Sequence, residues 1–270
     1  MDWRIGGIKV CTGGNFNSKA KKQSVSFPYM GLTINFQLTA AAGVTAARAE
    51  EMVASLHSLA LGFECEGFVD KVLPIASDLE TLHQFACDCL IVPVPGEENT
   101  STGVEILPTA GWIFLISVGA GCEPLRLGLC RYPETVRYEG KELPTGKPAR
   151  WQISGFCKTQ FASVHGWEHF KRCHCAVVHL LAACQVPELD VEISDEGDYW
   201  PPRSVSKLRE NLDRLNGLVA ATAGALKDLL DKPGAIKSPI FEHKNFERLE
   251  AQGAPHVVEA VEALRAALRK

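Results

Sequence analysis

The chain has 270 residues, enough for one large domain or two modest ones, with 46% hydrophobic and 22% charged residues. That composition is ordinary for a soluble globular protein and excludes a globally disordered chain. The net charge is −4 with Lys and Arg scattered, and the densest basic run is only Lys19-Ala20-Lys21-Lys22, so no nucleic-acid partner is expected.

In chain order, a first strand is expected to end at Ile8-Lys9-Val10, followed by a Gly, Asn, Ser and Lys loop from Thr12 to Gln23. Over Gly31–Thr39, Leu32, Ile34, Phe36 and Leu38 alternate with Thr33, Asn35, Gln37 and Thr39. Period-two alternation predicts a strand with one face on a core. The run Thr45–Leu61 spaces Ala49, Met52, Leu56 and Leu59 as a helix does, with Thr45 as N-cap and Gly62 as stop. Phe63–Val72 then reads as extended. Strand-like runs follow at Val104–Leu107, Trp112–Val118 and Leu125–Tyr132. Trp112–Val118 is apolar on both faces, as in a central strand covered on two sides.

A second alternating stretch opens at Trp151. Trp151, Ile153, Cys157 and Phe161 would point one way, and Gln152, Ser154, Lys158 and Gln160 the other. A helix starting near His165 places Phe170, Cys173, Val177, Leu181 and Cys184 on one face, and Leu189–Ser194 is again extended. Strand, helix, strand therefore occurs twice, and an internal duplication is expected. From Pro202 onward Val205, Leu208, Leu212, Leu215, Val219 and Leu226 form one stripe, ended by Lys232-Pro233-Gly234; Pro255 is expected to start a last helix.

The expected fold is α/β or α+β: two related strand–helix–strand units around a mainly mixed sheet, with a C-terminal helical tail packed on it. Residues 1–270 should form a single compact body, made of a first α/β half at 1–145, a second strand–helix–strand unit at 146–200 and the tail at 201–270.

Met1-Asp2-Trp3-Arg4 carries an acid and no apolar signal region, and the uncharged stretch Ile106–Gly121 is broken by Pro108, Gly111 and Gly119. It falls short of the ~20 apolar residues of a membrane helix, so no membrane association and a cytoplasmic location are expected. Ten cysteines are present without any C-x-x-C pair, only the C-x-C pairs Cys87/Cys89 and Cys173/Cys175. Reduced, mostly buried thiols are the expected state.

Among signatures of chemistry, Gly119-Ala-Gly121-Cys-Glu-Pro124 has Pro where a dinucleotide fingerprint needs its last Gly. No phosphate-binding G-x-x-x-x-G-K-[ST] loop and no G-x-S-x-G elbow exists. The most specific pattern is 165-HGWEH-169, which fits H-x-x-E-H. On one helix, histidines four apart can share a zinc ion while a neighbouring Glu activates its water. The five residues resemble the motif of the inverzincin metallopeptidases, the insulysin and pitrilysin family. That resemblance implies His165 and His169 as ligands, Glu168 as general base and a downstream Glu, here Glu242, as third ligand. The residues' own pattern, with Gly166 and Trp167 marking a helix start, reads instead as two surface histidines near a helix N-terminus.

The remaining candidates stand at strand ends. Glu123 lies in a tight loop between two apolar strands, Lys158 lies inside a core-forming strand, and Asp195 and Glu196 follow the strand ending at Ser194. A Lys in such a strand needs an acid or polar partner, so these four are the candidate catalytic residues of one cleft. Three function classes follow. The first is a small-molecule-binding or enzymatic cleft on the polar strand faces, without a cofactor. The second is a non-catalytic protein-interaction module, with another protein as partner, and the third is a zinc hydrolase built on residues 165–169.

Overall fold

A computed structural model of the chain describes the strands Trp3–Ile5 and Ile8–Val10 and residues 32–94, 96, 100–230 and 236–268. In chain order these hold β1 (Trp3–Ile5), β2 (Ile8–Val10), β3 (Thr33–Ala40), α1 (Ala46–Cys65), β4 (Lys71–Val72), α2 (Leu79–Phe85), β5 (Asp88–Pro93) and β6 (Ser101–Ile106). Then come β7 (Ala110–Ser117), β8 (Leu125–Arg131), β9 (Thr135–Tyr138), β10 (Lys141–Pro144), β11 (Gln152–Lys158), a 3-10 turn (Gln160–His165) and α3 (Trp167–Ala183). The chain closes with β12 (Leu189–Asp195), α4 (Val205–Leu230), β13 (Ile236–Lys237), a second 3-10 turn (Pro239–Glu242) and α5 (Phe246–Leu268). The expected loop at residues 12–23 and the stop at residues 232–234 lie outside the described residues.

The chain divides into two compact units. Of the described residues, the sheet unit comprises those within 34–157 and 171–194; the second, which we call the helical unit, comprises those up to Thr33, within 158–170 and from 195 onward.

The main sheet has six strands in the order β12-β3-β11-β8-β7-β4, and it is antiparallel rather than mixed. The chain runs β3–α1–β4 and β11–α3–β12 in the two expected strand–helix–strand regions, although of the expected extended run Phe63–Val72 only Lys71–Val72 is strand and Phe63–Cys65 ends α1. Their connectivity explains the antiparallel order. β3 and β4 lie far apart in the order, and β3 is inserted between β11 and β12. Strands that run parallel in each segment are therefore never neighbours, and each meets an antiparallel partner instead.

Helix α1 starts where expected, with Thr45 accepting from Arg48 N at 3.2 Å. It runs past Gly62 because that glycine keeps helical geometry; the left-handed residue that ends it is Gly67, at φ +74. Ala49, Met52, Val53, Leu56 and Ala60 form its buried stripe. β7 is covered on both faces, since Ile113 and Phe114, neighbours pointing oppositely, are each 1% exposed. His57 of α1 meets the Phe114 ring edge-on, with centroids 5.0 Å apart. Two further hairpins, β5–β6 and β9–β10, complete the sheet unit.

In the helical unit, α4 buries Leu208, Leu212, Leu215 and Val219 as its stripe requires, while Val205 stays exposed. α5 begins at Phe246 and carries Pro255 inside it, nine residues earlier than a proline start would allow. Close packing supports this helix against the roughly 3 kcal/mol that an interior proline costs. Gly253 meets Gly217 of α4 so closely that an added Cβ would lie 1.9 Å from the Gly217 carbonyl oxygen. Leu249 joins a core of Val219, Ala220, Ala223 and Ile240. Among the described residues, no helix is long and apolar enough to cross a membrane.

Candidate functional site

Backbone bonds fix which side chains share a face of the sheet. Ala40 N donates to Trp151 O at 2.8 Å, Ala41 N to Glu188 O at 2.9 Å, and Gln152 pairs with Cys130. Stepping along antiparallel partners places Gln37 between Ser154 and Glu192, and Asn35 between Phe156 and Ser194, with Arg126 beyond Phe156. Two contacts agree with this register. A Cβ on Gly155 would lie 2.7 Å from the ring of Phe36, its cross-strand partner, and the Arg126 guanidinium carbon sits 5.6 Å from the centre of the Phe156 ring.

One face of β3 and β11 therefore carries Ile34, Phe36, Leu38, Ile153, Gly155 and Cys157, and the hydrophobic members of this set are buried. The other carries the polar rows. Asn35, Ser194 and Glu192 are exposed, Gln37, Ser154 and Arg126 are half-buried, and Phe156 is 39% exposed. Gln37 Nε2 donates to Thr39 Oγ1 at 3.1 Å, which orients its amide along the sheet. Arg126 Nη1 donates to Phe85 O at 3.0 Å, so the guanidinium is held against α2 while it borders the Phe156 ring. At the next row the face closes, because Gln152 is 1% exposed and gives its Nε2 to Pro148 O at 3.0 Å. Amides, a hydroxyl, an aromatic ring and a cation thus stand side by side on rigid backbone. Such a set recognises polar, planar groups; the central positions include no general acid or base.

Of the candidates read from sequence, Lys158 and Glu196 come to neighbouring strand ends within the helical unit. Thr159 N donates to Leu32 O and Glu196 N to Thr33 O, each at 3.1 Å, so Thr33 lies between Lys158 and Glu196. Glu196 Oε2 accepts from Thr33 N at 2.9 Å. Asp195 is engaged by its own loop: Oδ1 accepts from Gly197 N at 2.7 Å, and Oδ2 from Tyr199 N and Trp200 N at 2.9 Å each. Both carboxylates therefore hold backbone. Glu123 is half-buried in the sheet unit, in the turn between β7 and β8, where its carbonyl accepts from Cys157 Sγ at 3.2 Å.

The zinc arrangement is not met. His165 closes a 3-10 turn, Gly166 takes φ 103, and α3 starts only at Trp167, so the two histidines do not share a helix. Their rings still meet edge-on with centroids 5.3 Å apart. Glu168 is exposed, as is Glu242 on the second 3-10 turn. Among the described residues no group of three or more His, Cys, Asp or Glu could hold a metal.

A separate groove of about 370 Å³ lies in the sheet unit, between Arg48, Met52, Ser55 and Leu56 of α1 and the segment Val186–Leu189. Its rim is an ion pair, with Arg48 Nη2 2.5 Å from Glu188 Oε2 and Nη1 3.0 Å from Glu51. Hydrogen bonds to these two acids raise the Arg48 pKa, and its charge is already matched.

Two features escaped sequence reasoning. Phe156 on the polar face was hidden because Gly155 takes the core position beside Phe36. Gln160 belongs to no sheet face: it is 1% exposed, accepts from Leu32 N at 3.2 Å and donates to Asn216 Oδ1 at 3.0 Å. Asn216 in turn donates to Ser163 Oγ at 3.1 Å, completing a buried, satisfied amide chain that pins the 3-10 turn to α4. Comparison with protein-family models, with curated proteins and with solved structures finds no match.

Proposed function

We propose that this protein binds a small polar ligand on the open face of its six-stranded sheet, and that the binding is recognition rather than catalysis. The observation that carries this reading is the row Ser194–Asn35–Phe156–Arg126, in which an exposed ring is bordered by a cation and an exposed amide. A heteroaromatic ligand would stack on Phe156, hydrogen-bond to Asn35, Gln37 and Ser154, and place an acidic substituent at Arg126. The nine described cysteines are free thiols, which supports a reducing compartment such as the cytoplasm.

The test is a thermal-shift screen of carboxylated heteroaromatic fragments. A ligand at a hundred times its Kd stabilises the fold by about 2.7 kcal/mol. Hits should stabilise the native chain and lose that effect in Phe156→Ala. Hits that stabilise both equally, or no hits, would reject the reading.

A second reading, a protein-interaction module, is favoured by exposed Leu61, Phe68, Leu73, Ile75 and Leu79, all within residues 61–79. The β4 edge there is blocked, since Glu64 accepts from Val72 N at 2.7 Å and His57 Nε2 bonds Leu73 O at 3.0 Å. A partner would meet side chains, not add a strand. Sedimentation at rising concentration checks for self-association, which Leu79→Asp should abolish.

A further inference from the structure

We propose that the apolar surface at residues 61–79 docks a basic amphipathic helix of a different protein. This inference rests on the interaction-module reading and names the partner's chemistry. Exposed Leu61, Phe68, Leu73, Ile75 and Leu79 all belong to the sheet unit, on backbone that polar bonds hold in place. On α1, Leu61 lies one turn after His57 and three residues before Glu64. Those two side chains bond Leu73 O and Val72 N, so Leu61 stands beside Leu73. The turn that carries Phe68 is fixed from α3. Arg172 Nη1 donates to Gly67 O at 3.1 Å and to Phe68 O at 3.0 Å, and Nη2 donates to Asp70 Oδ1 at 3.2 Å. Phe68 in turn rests on Phe63, with ring centroids 5.7 Å apart. Ile75 precedes Ala76, which pairs with Ile113 of β7. Apolar side chains on backbone held this way lose little freedom on binding, as in a preformed docking site.

The surrounding charge selects the occupant. Residues 61–80 hold five acids, Glu64, Glu66, Asp70, Asp78 and Glu80, against the single base Lys71. Arg172 pairs with Asp70, and the acids still outnumber the bases around the apolar side chains. A second copy docked through the same patch would set this acidic border against itself. An anionic bilayer or a nucleic acid would be repelled in the same way. An added strand is excluded because Glu64 and His57 occupy the β4 edge. An amphipathic helix meets both requirements: its apolar face covers Leu61, Phe68, Leu73 and Ile75, and its flanking Lys and Arg face Glu66, Asp78 and Glu80.

The experiment titrates the isotopically labelled full-length chain with a synthetic peptide of about 18 residues, built from Leu and Lys at amphipathic helical spacing. Amide NMR shifts report the location and the Kd. The controls are the same composition in scrambled order and the counterpart built from Leu and Glu. The expected result is saturable shifts at Leu61, Phe68, Leu73 and Ile75, with the scrambled peptide about tenfold weaker and binding weakened as NaCl rises from about 50 to about 300 mM. Phe68→Ser with Leu73→Ser, both exposed in the native fold, should weaken binding about tenfold. Glu66→Lys with Glu80→Lys should weaken it comparably. Equal binding of the Lys and Glu peptides at this patch would keep the interaction module and overturn its basic partner. Equal affinity of the scrambled peptide, shifts centred elsewhere or no binding would overturn the docking helix; the module itself falls only if sedimentation also shows no self-association. A dimer formed through the patch would assign the surface to a second copy and overturn this inference while keeping the module.

Discussion

The two faces of one pair of strands, β3 and β11, differ sharply in burial. On β3 and β11, Phe36 closes over Gly155 so tightly that even one methyl group on that glycine would collide with the ring. One residue away on each strand, Asn35 and Phe156 stand side by side and exposed. The strands, the backbone bonds and the twist are shared, so the contrast isolates what side chains alone contribute. The first face is specified by fit and stabilises the fold. The second leaves the Asn35 amide and part of the Phe156 ring exposed, with Gln37 and Arg126 half-buried, and exposed groups of this kind contribute little to stability.

The contrast is broken most severely by Phe36→Ala. Emptying the apolar face should cost about 3–5 kcal/mol, seen as a lower denaturant midpoint at unchanged slope. Nearly as large is an alkaline effect where the polar face closes. Cys130, beside Gln152, is fully buried, and burial pushes its thiol up to about 12 from 9.0. The folded state thus favours the neutral thiol, so this contribution is fully present below pH 9.0 and is lost as pH rises through about 12. At about 1.4 kcal/mol per unit, that is on the order of 4 kcal/mol. Denaturant titrations from pH 8 upward should show the loss, and Cys130→Ala should remove only its own share, since burial also pushes the Cys184 thiol up to about 12.

Gly155→Ala adds one methyl group against the Phe36 ring. Overpacking of that kind should cost about 1–3 kcal/mol. Because the obstacle is a side chain, pairing it with Phe36→Leu should recover part of the loss. On the opposite face Asn35→Ala should change stability by no more than about 0.5 kcal/mol. A loss above about 2 kcal/mol there would mean that the polar row is structural.

The strand core was legible from residue order alone, because a period of two assigns Ile34, Phe36 and Leu38 to one face without knowledge of any partner. The helical stripes of α1, α3 and α4 were legible for the same reason. Ends were less so: Gly62 and Gly67 look alike as letters, and only the positive φ of Gly67 marks the stop. Proline at 255 suggested a helix start because its local cost is visible in sequence, whereas the Gly253–Gly217 approach that supports the earlier start is not. The antiparallel order depended on β3 entering between β11 and β12, over a hundred residues away in the chain. The Phe156–Arg126 pair and the Gln160–Asn216–Ser163 chain share that property, since each needs a partner that only the completed topology brings near. Asp195 and Glu196 were correctly seen as strand-end acids by position, but position could not show that backbone N–H groups occupy them.

The central claim is that recognition resides on the open polar rows and not in the groove between Arg48 and Glu188. Amide chemical-shift mapping by NMR, titrating the best carboxylated heteroaromatic fragment into isotopically labelled protein, tests it most directly. The account predicts saturable shifts concentrated at Asn35, Gln37, Ser154 and Phe156, with the Arg126 side chain responding and Met52, Leu56 and Val186 silent. Shifts centred on Arg48, Ser55 and Glu188 would contradict it.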